Sequence, residues 1–180
     1  MGIGPVKAVF LDRDGVITEA AIRDGRPYPP PGIQTVKLYP EVAAALALLK
    51  TAGFLLLVVT NQPDIARGTQ SRAIVEAQNA AIAAQLPIDE FFVCWHDDPD
   101  NCSCRKPKPG LLLEAAARYP IVLRASFMIG DRWRDIDAGA AAGVRTILID
   151  RHYRERPPAH EPDFRADSLQ SAADWILKQD

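Results

Sequence analysis

The stretch VFLDRDGVIT, residues 9–18, runs from an apolar segment directly into two carboxylates. Asp12 and Asp14 stand two positions apart, so on extended backbone their side chains point to the same side and repel each other. Such a pair can simply bind a cation, or one of the two can cap a turn. The pattern favours a catalytic pair instead, in which one carboxylate attacks as a nucleophile and the other manages a proton. That chemistry requires a cation when the target is an anionic phosphate.

Short apolar segments alternate along the chain with segments of helical periodicity. The strand-like segments are residues 6–11, 54–59, 90–95, 125–130 and 144–149. The helix-like segments are 41–52, 71–86, the run from Pro109 through Ala116, an Ala-rich run that Asp135 can cap and that ends near Gly143, and 168–178. This alternation predicts an α/β fold, an open parallel sheet with helices on both faces. Ligands bind such sheets beyond the carboxyl ends of the strands, which is where Asp12 falls.

The chain of 180 residues has the length of one ordinary domain, so we expect a single domain over residues 1–180. Two segments, 22–32 and 151–163, are rich in Pro and charged residues and are predicted to be loops. Residues 19–32 are long enough to form a flap. No segment is long enough to form a large cap domain.

Composition restricts the partners and the location. Hydrophobic residues make up 48% and charged residues 24% of the chain, which is typical of a soluble globular protein. A net charge of −2 gives no general attraction to nucleic acid or to an acidic membrane surface. The N-terminal stretch lacks the features of a signal peptide, and no apolar run approaches the roughly 20 residues that span a bilayer. We therefore expect a cytoplasmic monomer that acts on a small molecule.

Three further segments carry residues suited to phosphate chemistry. Thr60 and Asn61 follow the second strand, where a hydroxyl and backbone amides can hold phosphate oxygens. Arg105 and Lys106 precede a helix and offer cationic partners for phosphate. Asp131 follows the fourth strand, and its carboxylate suits Mg²⁺, which favours hard oxygen ligands. Asp135, four residues on, either supports that site or only caps its helix, and Arg13, between the first two aspartates, is expected to point away from them.

The three cysteines of the chain lie within one short window, CWHDDPDNCSC. An odd, clustered count without a secretion signal argues against a disulfide framework. Cys94, His96, Cys102 and Cys104 together offer three thiolates and one imidazole, the number of ligands that tetrahedral Zn²⁺ takes. Four protein ligands leave no open position, so residues 94–106 are predicted to form a structural zinc loop that orders Arg105 and Lys106. A chance cluster of thiols is the alternative.

Taken together, these motifs resemble the haloacid dehalogenase (HAD) superfamily. DRDGV resembles its first motif, VVTN its second, Lys106 its third and GDRWRD its fourth, in the same order and at strand ends. The resemblance implies a HAD-like, Rossmann-type fold with Asp12 as nucleophile and Asp14 as general acid and base. It implies that Thr60 and Lys106 stabilise the transferring phosphoryl group, and that Mg²⁺ is held by Asp12, Asp131 and the backbone carbonyl of Asp14. Asp rather than Thr at position 14 implies phosphatase chemistry, or less often mutase chemistry.

The zinc loop joined to CRKP resembles the branch of the superfamily that contains D-glycero-D-manno-heptose 1,7-bisphosphate phosphatases and histidinol-phosphate phosphatases, whose members lack a large cap domain. This resemblance implies that Arg105 contributes to substrate recognition. TNQPDIARG resembles the heptose enzymes, where TNQSGIARG is usual, whereas the short spacer between His96 and Cys102 resembles the histidinol-phosphate enzymes. Pro63 and Asp64 depart from the heptose pattern.

The sequence therefore leaves three hypotheses for the function. The first is a Mg²⁺-dependent phosphatase acting on a sugar phosphate, foremost a heptose bisphosphate. The others are a histidinol-phosphate phosphatase and a non-catalytic, zinc-stabilised phosphate-binding module. Under the first hypothesis Asn61 and Arg105 bind the substrate. Arg23, Arg26 and Arg67 either bind the phosphate that is not hydrolysed or are simply solvated charges.

Overall fold

The apolar segments predicted to be strands pair side by side in one six-stranded sheet. The computed structural model describes residues 4–179, so the predicted domain limits at 1 and 180 lie outside the described residues. The strands are β1 (Ala8–Leu11), β2 (Ala21–Arg23), β3 (Arg26–Tyr28), β4 (Leu55–Asn61), β5 (Glu90–Cys94), β6 (Phe127–Gly130), β7 (Arg145–Ile149) and β8 (Phe164–Ala166). The α-helices are α1 (Val42–Thr51), α2 (Arg72–Ala83), α3 (Gly110–Arg118), α4 (Trp133–Ala142) and α5 (Leu169–Leu177).

The strand order in the large sheet is β5-β4-β1-β6-β7-β8, and every neighbouring pair is parallel. This confirms the predicted open parallel sheet. Because β1 lies between β4 and β6, the carboxyl ends of these three strands meet at one edge of the sheet. Asp12, Thr60 and Asp131 therefore come together there, although they are far apart in sequence.

Side chains of β1 alternate between two hydrophobic cores, one on each face of the sheet. Val9 and Leu11 pack into the core that contains buried residues of α1 and α5. Ala8 and Phe10 pack into the core that contains buried residues of α3 and α4. A strand buried on both faces must be apolar at every position, which explains the continuous run before Asp12.

Two sequence predictions need correction. Residues 22–32, predicted to be a loop, contain most of an antiparallel hairpin formed by β2 and β3. Asp24 and Gly25 connect its strands with φ values of 51° and 75°, the left-handed conformation that Asp-Gly favours in tight hairpin turns. The second correction is β8, a short strand that follows the loop at 151–163 and joins the sheet edge beside β7.

The ends of two helices are capped as their sequences indicate. The Ser71 side chain accepts a hydrogen bond from the backbone N–H of Ile74 at the start of α2, and Ser168 does the same for Ser171 at the start of α5. Between residues 4 and 179, none of the helices has the length and apolar character needed to cross a bilayer.

Candidate active site

Lys106 lies at the centre of the site, and its side chain is only 2% exposed. The Nζ atom donates three hydrogen bonds, at 2.7 Å to Asp12 Oδ1, at 2.6 Å to Asp135 Oδ1 and at 2.7 Å to the carbonyl oxygen of Val59. Burial alone would lower the pKa of Lys106, but the charges of Asp12 and Asp135 outweigh it and raise the pKa. Lys106 is therefore a fixed positive charge between two carboxylates.

The backbone of Lys106 is held by Asn61 at the end of β4. Asn61 Nδ2 donates to the Lys106 carbonyl oxygen at 3.0 Å, and the Lys106 N–H donates back to Asn61 Oδ1 at 3.1 Å. Both ends of the Asn61 amide are thus used on the protein, although Asn61 also lines the pocket. The contact of Asn61 with substrate stays a prediction, whereas its two hydrogen bonds to the Lys106 backbone are present in the structure.

Asp135 serves both roles that the sequence left open. Its Oδ2 accepts a hydrogen bond from the Arg132 N–H at 3.0 Å, which caps the N-terminus of α4. Its Oδ1 accepts from Lys106. A Cβ atom added to Gly130 would lie 2.1 Å from the Asp135 Cβ, so the strand end must be glycine for this carboxylate to reach the lysine.

Asp12, Asp131 and Asp135 form a buried acidic cluster, in which one carboxylate oxygen from each residue lies within 4.8 Å of the other two. Burial raises the pKa of Asp12 to about 6, against the opposing effect of Lys106. Burial, followed by the charges of Asp12 and Asp135, raises the pKa of Asp131 well above its usual range. Three carboxylates share one lysine, so the cluster lacks positive charge.

A bound divalent cation would supply the positive charge that this cluster lacks. Asp131 Oδ2 accepts a hydrogen bond from the Tyr153 hydroxyl at 2.8 Å, while Asp131 Oδ1 is buried and has no hydrogen-bond partner among the described residues. A buried carboxylate oxygen without a donor is costly unless a cation binds it. The ligand atoms are oxygens, which Mg²⁺ prefers. Gly15 permits the close approach, because a Cβ there would lie 1.8 Å from Asp131 Oδ2.

Asp14 is held by four donors. Arg13 Nε and Nη2 donate to its two oxygens at 3.0 and 2.9 Å, Thr18 Oγ1 donates to Oδ1 at 3.0 Å, and Gln62 Nε2 donates to Oδ2 at 2.9 Å. The expectation that Arg13 points away from the aspartates is therefore wrong. The chain turns sharply at Gly15, which lets the Arg13 side chain fold back onto its neighbour's carboxylate.

Thr60 is joined to Asp14 through Gln62, whose Nε2 also lies 3.0 Å from Thr60 Oγ1. Thr60 and Asp14 both line a pocket of about 270 Å³, together with Asp12 and Lys106. The structure thus brings the residues of all four predicted motifs to one end of the sheet, with Asp131 beside the pocket in the acidic cluster.

The rim of the pocket is rich in arginines. Arg26 and Tyr28 reach it from the hairpin, while Arg67, Arg132 and Arg134 reach it from other loops and α4. The last three each have a carboxylate partner, namely Asp64 and Asp97 for Arg67, Glu155 for Arg132 and Asp98 for Arg134. Arg26 has none within residues 4–179. Arg23 does not line the pocket; it lies over the Tyr28 ring at 5.4 Å.

The predicted zinc ligands converge beside this pocket. Cys94 Sγ lies 3.7 Å from Cys102 Sγ and 3.2 Å from Cys104 Sγ, and His96 Nδ1 lies 3.8 Å from Cys94 Sγ and 3.4 Å from Cys104 Sγ. Sulfur ligands of a tetrahedral zinc ion are separated by about 3.8 Å, given Zn–S bonds of about 2.3 Å. The four ligand atoms therefore converge on one point, at separations that approach those around a tetrahedral zinc ion. Burial raises the pKa of the Cys94 thiol, a cost that a bound metal would remove.

Arg105 connects the cysteine cluster to the pocket. Its Nε donates to Asp98 Oδ1 at 2.7 Å, its Nη1 donates to the His96 carbonyl oxygen at 3.2 Å, and its Nη2 lies 3.2 Å from Asp97 Oδ1. These contacts fix the guanidinium of Arg105 against the loop that carries His96, at the edge of the pocket.

Tyr153 and Gln62 were not predicted from the sequence. Gln62 follows Asn61 directly, and its position after a strand end was the available signal. Tyr153 lies in the loop after β7, where no periodicity or motif marks it. The only indication for Tyr153 was its place in the topology, because polar residues that follow the carboxyl end of a parallel strand lie at the edge of the sheet where ligands bind.

Comparison with known proteins agrees with this geometry. The sequence profile of the haloacid dehalogenase-like hydrolase family matches residues 30–143. The D-glycero-beta-D-manno-heptose-1,7-bisphosphate 7-phosphatase of Escherichia coli is 34% identical over 96% of this chain and 88% of its own. The protein of that name from Helicobacter pylori is 34% identical over 94% and 97%. The crystal structure of D,D-heptose 1,7-bisphosphate phosphatase from B. bronchiseptica, complexed with magnesium and phosphate, superposes with a TM-score of 0.81 and 28% identity, covering 97% and 100% of the two chains.

Replacing Asp131 with Asn tests the charge deficit. The substitution removes one buried like charge but retains an oxygen for Tyr153, so we expect the metal-free protein to gain about 1 kcal/mol of unfolding free energy, or about 2–4 °C in Tm. The Tm increase that Mg²⁺ gives the wild type should be lost. Calorimetry with and without Mg²⁺ measures both effects, and the exposed Asp174→Asn is the control. A metal-free Tm below that of the wild type would contradict the prediction.

Proposed function

The chain belongs to the haloacid dehalogenase-like hydrolase family and is a phosphatase of that family, and from this premise we propose that it removes one phosphate from a heptose bisphosphate through an aspartyl-phosphate on Asp12. The observation that carries the proposal is the placement of Asp12, Asp14, Thr60 and Lys106 around one pocket beside the acidic cluster.

Asp12 is the proposed nucleophile. Its Oδ1 is held by Lys106, and its Oδ2 has no hydrogen-bond donor in the described part of the chain, so Oδ2 is the oxygen free to attack. Attack forms a bond between Oδ2 and phosphorus as the bond from phosphorus to the ester oxygen breaks. The positive charge of Lys106, held within the site, opposes the accumulation of negative charge during this transfer.

Asp14 is the proposed general acid and base. In the first step it gives a proton to the departing ester oxygen, which leaves as an alcohol. In the second step it takes a proton from a water molecule that attacks the phosphorus atom of the aspartyl-phosphate. Inorganic phosphate leaves and the Asp12 carboxylate is restored. Thr60, tied to Asp14 through Gln62, is placed to hold a phosphate oxygen.

The residues that would hold Mg²⁺ are Asp12 and Asp131, through their carboxylates, and Asp14, through its backbone carbonyl oxygen. When bound, the ion would supply positive charge that lets an anionic phosphate approach the acidic cluster. Tyr153 fixes the orientation of the Asp131 carboxylate through its hydroxyl. The relatives support magnesium, since the superposed B. bronchiseptica enzyme is a complex with magnesium and phosphate.

The proposed substrate is supported by the names of the relatives and by the pocket rim. The matched proteins of E. coli and H. pylori are named heptose bisphosphate phosphatases, which favours a heptose bisphosphate over histidinol phosphate. Arg26, the pocket arginine without a carboxylate partner among the described residues, is suited to a second phosphate at the hairpin end of the pocket. Asp64, which departs from the usual heptose pattern, is neutralised by Arg67 at 3.2 Å.

Asp12→Asn tests catalysis against mere binding. The amide cannot form the acyl phosphate, so kcat on an aryl phosphate with Mg²⁺ should fall at least about a thousandfold. Asp24→Asn in the hairpin turn is the matched control and should keep full activity. A well-folded wild type that turns over no member of a broad phosphate panel would instead favour the non-catalytic binding module.

Arg26→Ala tests the second phosphate. Loss of one charge-assisted hydrogen bond, worth about 1.5–3 kcal/mol, should raise KM for the heptose bisphosphate at least about tenfold. The KM for the monophosphate that carries only the reacting phosphate should not change, and Arg23→Ala on the neighbouring strand is the control. Equal increases in KM for both substrates would contradict the proposed contact between Arg26 and the second phosphate. Better wild-type turnover of histidinol phosphate than of the heptose bisphosphate would overturn the substrate itself.

We also propose that Cys94, His96, Cys102 and Cys104 hold a structural zinc ion. Cys102→Ser should lower the zinc content measured by mass spectrometry and should lower Tm at the same time. A structural zinc ion binds the folded state and not the unfolded chain, so its binding free energy adds to the free energy of unfolding. The neighbouring exposed Ser103→Ala is the control and should change neither. Unchanged zinc stoichiometry in Cys102→Ser would contradict this ligand assignment.

A further inference from the structure

Arg13 is a charged side chain in an unusual place. It stands between Asp12 and Asp14 in the sequence, yet its side chain is only 1% exposed. Buried guanidinium groups are retained where their donors are satisfied, since an unpaired buried charge is costly. Its Nε and Nη2 atoms donate to the two oxygens of Asp14, which is the two-point geometry that fixes the plane of a carboxylate.

The far end of the guanidinium is anchored on α2. Arg13 Nη1 donates to Asn79 Oδ1 at 2.9 Å, and Asn79 is itself buried. The adjacent Gln78 donates through Nε2 to the carbonyl oxygen of Pro30 at 3.0 Å, so the same turn of α2 also contacts the segment after the hairpin. Asn79 therefore gives Arg13 a fixed support that does not belong to the catalytic loop.

The remaining donors to Asp14 belong to two separate side chains. Thr18 donates to Oδ1 and Gln62 donates to Oδ2, and Gln62 shares its amide nitrogen with Thr60. Arg13 instead donates to both oxygens from one rigid planar group, which fixes the rotation of the carboxylate more tightly than two independent side chains do. General acid catalysis depends on that rotation, because the proton must lie within hydrogen-bond reach of the leaving oxygen.

We propose that Arg13, anchored by Asn79, is a positioning residue that holds the Asp14 carboxylate in the orientation from which it protonates the leaving oxygen. The proposal rests on the proposed function, since it assumes that Asp14 acts on an ester oxygen. Arg13 does not touch the phosphate; it acts through Asp14.

Leaving-group dependence distinguishes this role from a purely structural one. A strongly acidic phenol departs from phosphorus without a proton, whereas a weakly acidic phenol needs one in the transition state. The value of kcat/KM reports the steps up to phosphoryl transfer, so it measures this requirement directly. Loss of orientation at Asp14 should therefore affect phenyl phosphate much more than 4-nitrophenyl phosphate.

The experiment compares Arg13→Met with the wild type on these two substrates at saturating Mg²⁺. We expect kcat/KM to fall at least about a hundredfold for phenyl phosphate and less than about fivefold for 4-nitrophenyl phosphate. Arg13→Lys, which keeps the positive charge but lacks the rigid planar pair of nitrogens, should give an intermediate loss with the same selectivity. Arg72→Met, on α2 and away from Asp14, is the matched control and should behave as the wild type.

Asn79→Ala provides the second test, because it keeps Arg13 and places a good helix former in α2. We expect the same selectivity at a smaller magnitude, and this variant decides the question if Arg13→Met does not fold. Equal losses on both substrates, or no loss on either, would overturn the positioning role. A wild type without phosphatase activity would instead overturn the proposed function, so the two failures are distinguishable.

Discussion

One lysine among three buried carboxylates is the constraint on which the site depends. Lys106 satisfies Asp12 and Asp135 directly, while Asp131 retains an oxygen without a donor among the described residues. The remaining negative charge is unfavourable in a buried site, and the raised pKa values of Asp12 and Asp131 express that cost. The same excess of negative charge favours binding of a cation, and the bound cation would in turn favour binding of an anionic phosphate. The repulsion among Asp12, Asp131 and Asp135 is thus tolerated because a bound cation would relieve it, whereas the charge of Asp14 is balanced by Arg13.

The parallel sheet makes this cluster possible. Asp12 and Asp131 directly follow β1 and β6, and Thr60 lies near the end of β4, so their backbones are fixed by the sheet and by the two cores that cover it. Lys106 comes from a loop instead, and a loop needs other support to present a buried charge. Asn61 clamps its backbone on one side, and on the other the chain runs back through Arg105 to the cysteine cluster. A metal in that cluster would act on catalysis only through this loop.

Much of the architecture could be predicted because its signals are local. The central strands are apolar on both faces, and the motif residues stand at the strand ends, which predicts both the sheet and the edge where the site lies. The hairpin was missed because Pro-rich flanks obscured the Asp24-Gly25 turn signal. Arg13 was misplaced because strand alternation does not extend past a chain reversal such as that at Gly15. The position of Tyr153 after a strand end indicated the correct edge of the sheet but not its partner, since the contact with Asp131 joins two loops that only the tertiary fold brings together.

The covalent intermediate on Asp12 is the central claim, and chemical trapping tests it most directly. Acid quenching during turnover preserves an acyl phosphate, and borohydride then reduces it to an alcohol, which converts the aspartate into homoserine. Peptide mass spectrometry should find homoserine at position 12, only when substrate and Mg²⁺ are both present. Active turnover with an unmodified Asp12, or with the modification at another carboxylate, would contradict the account.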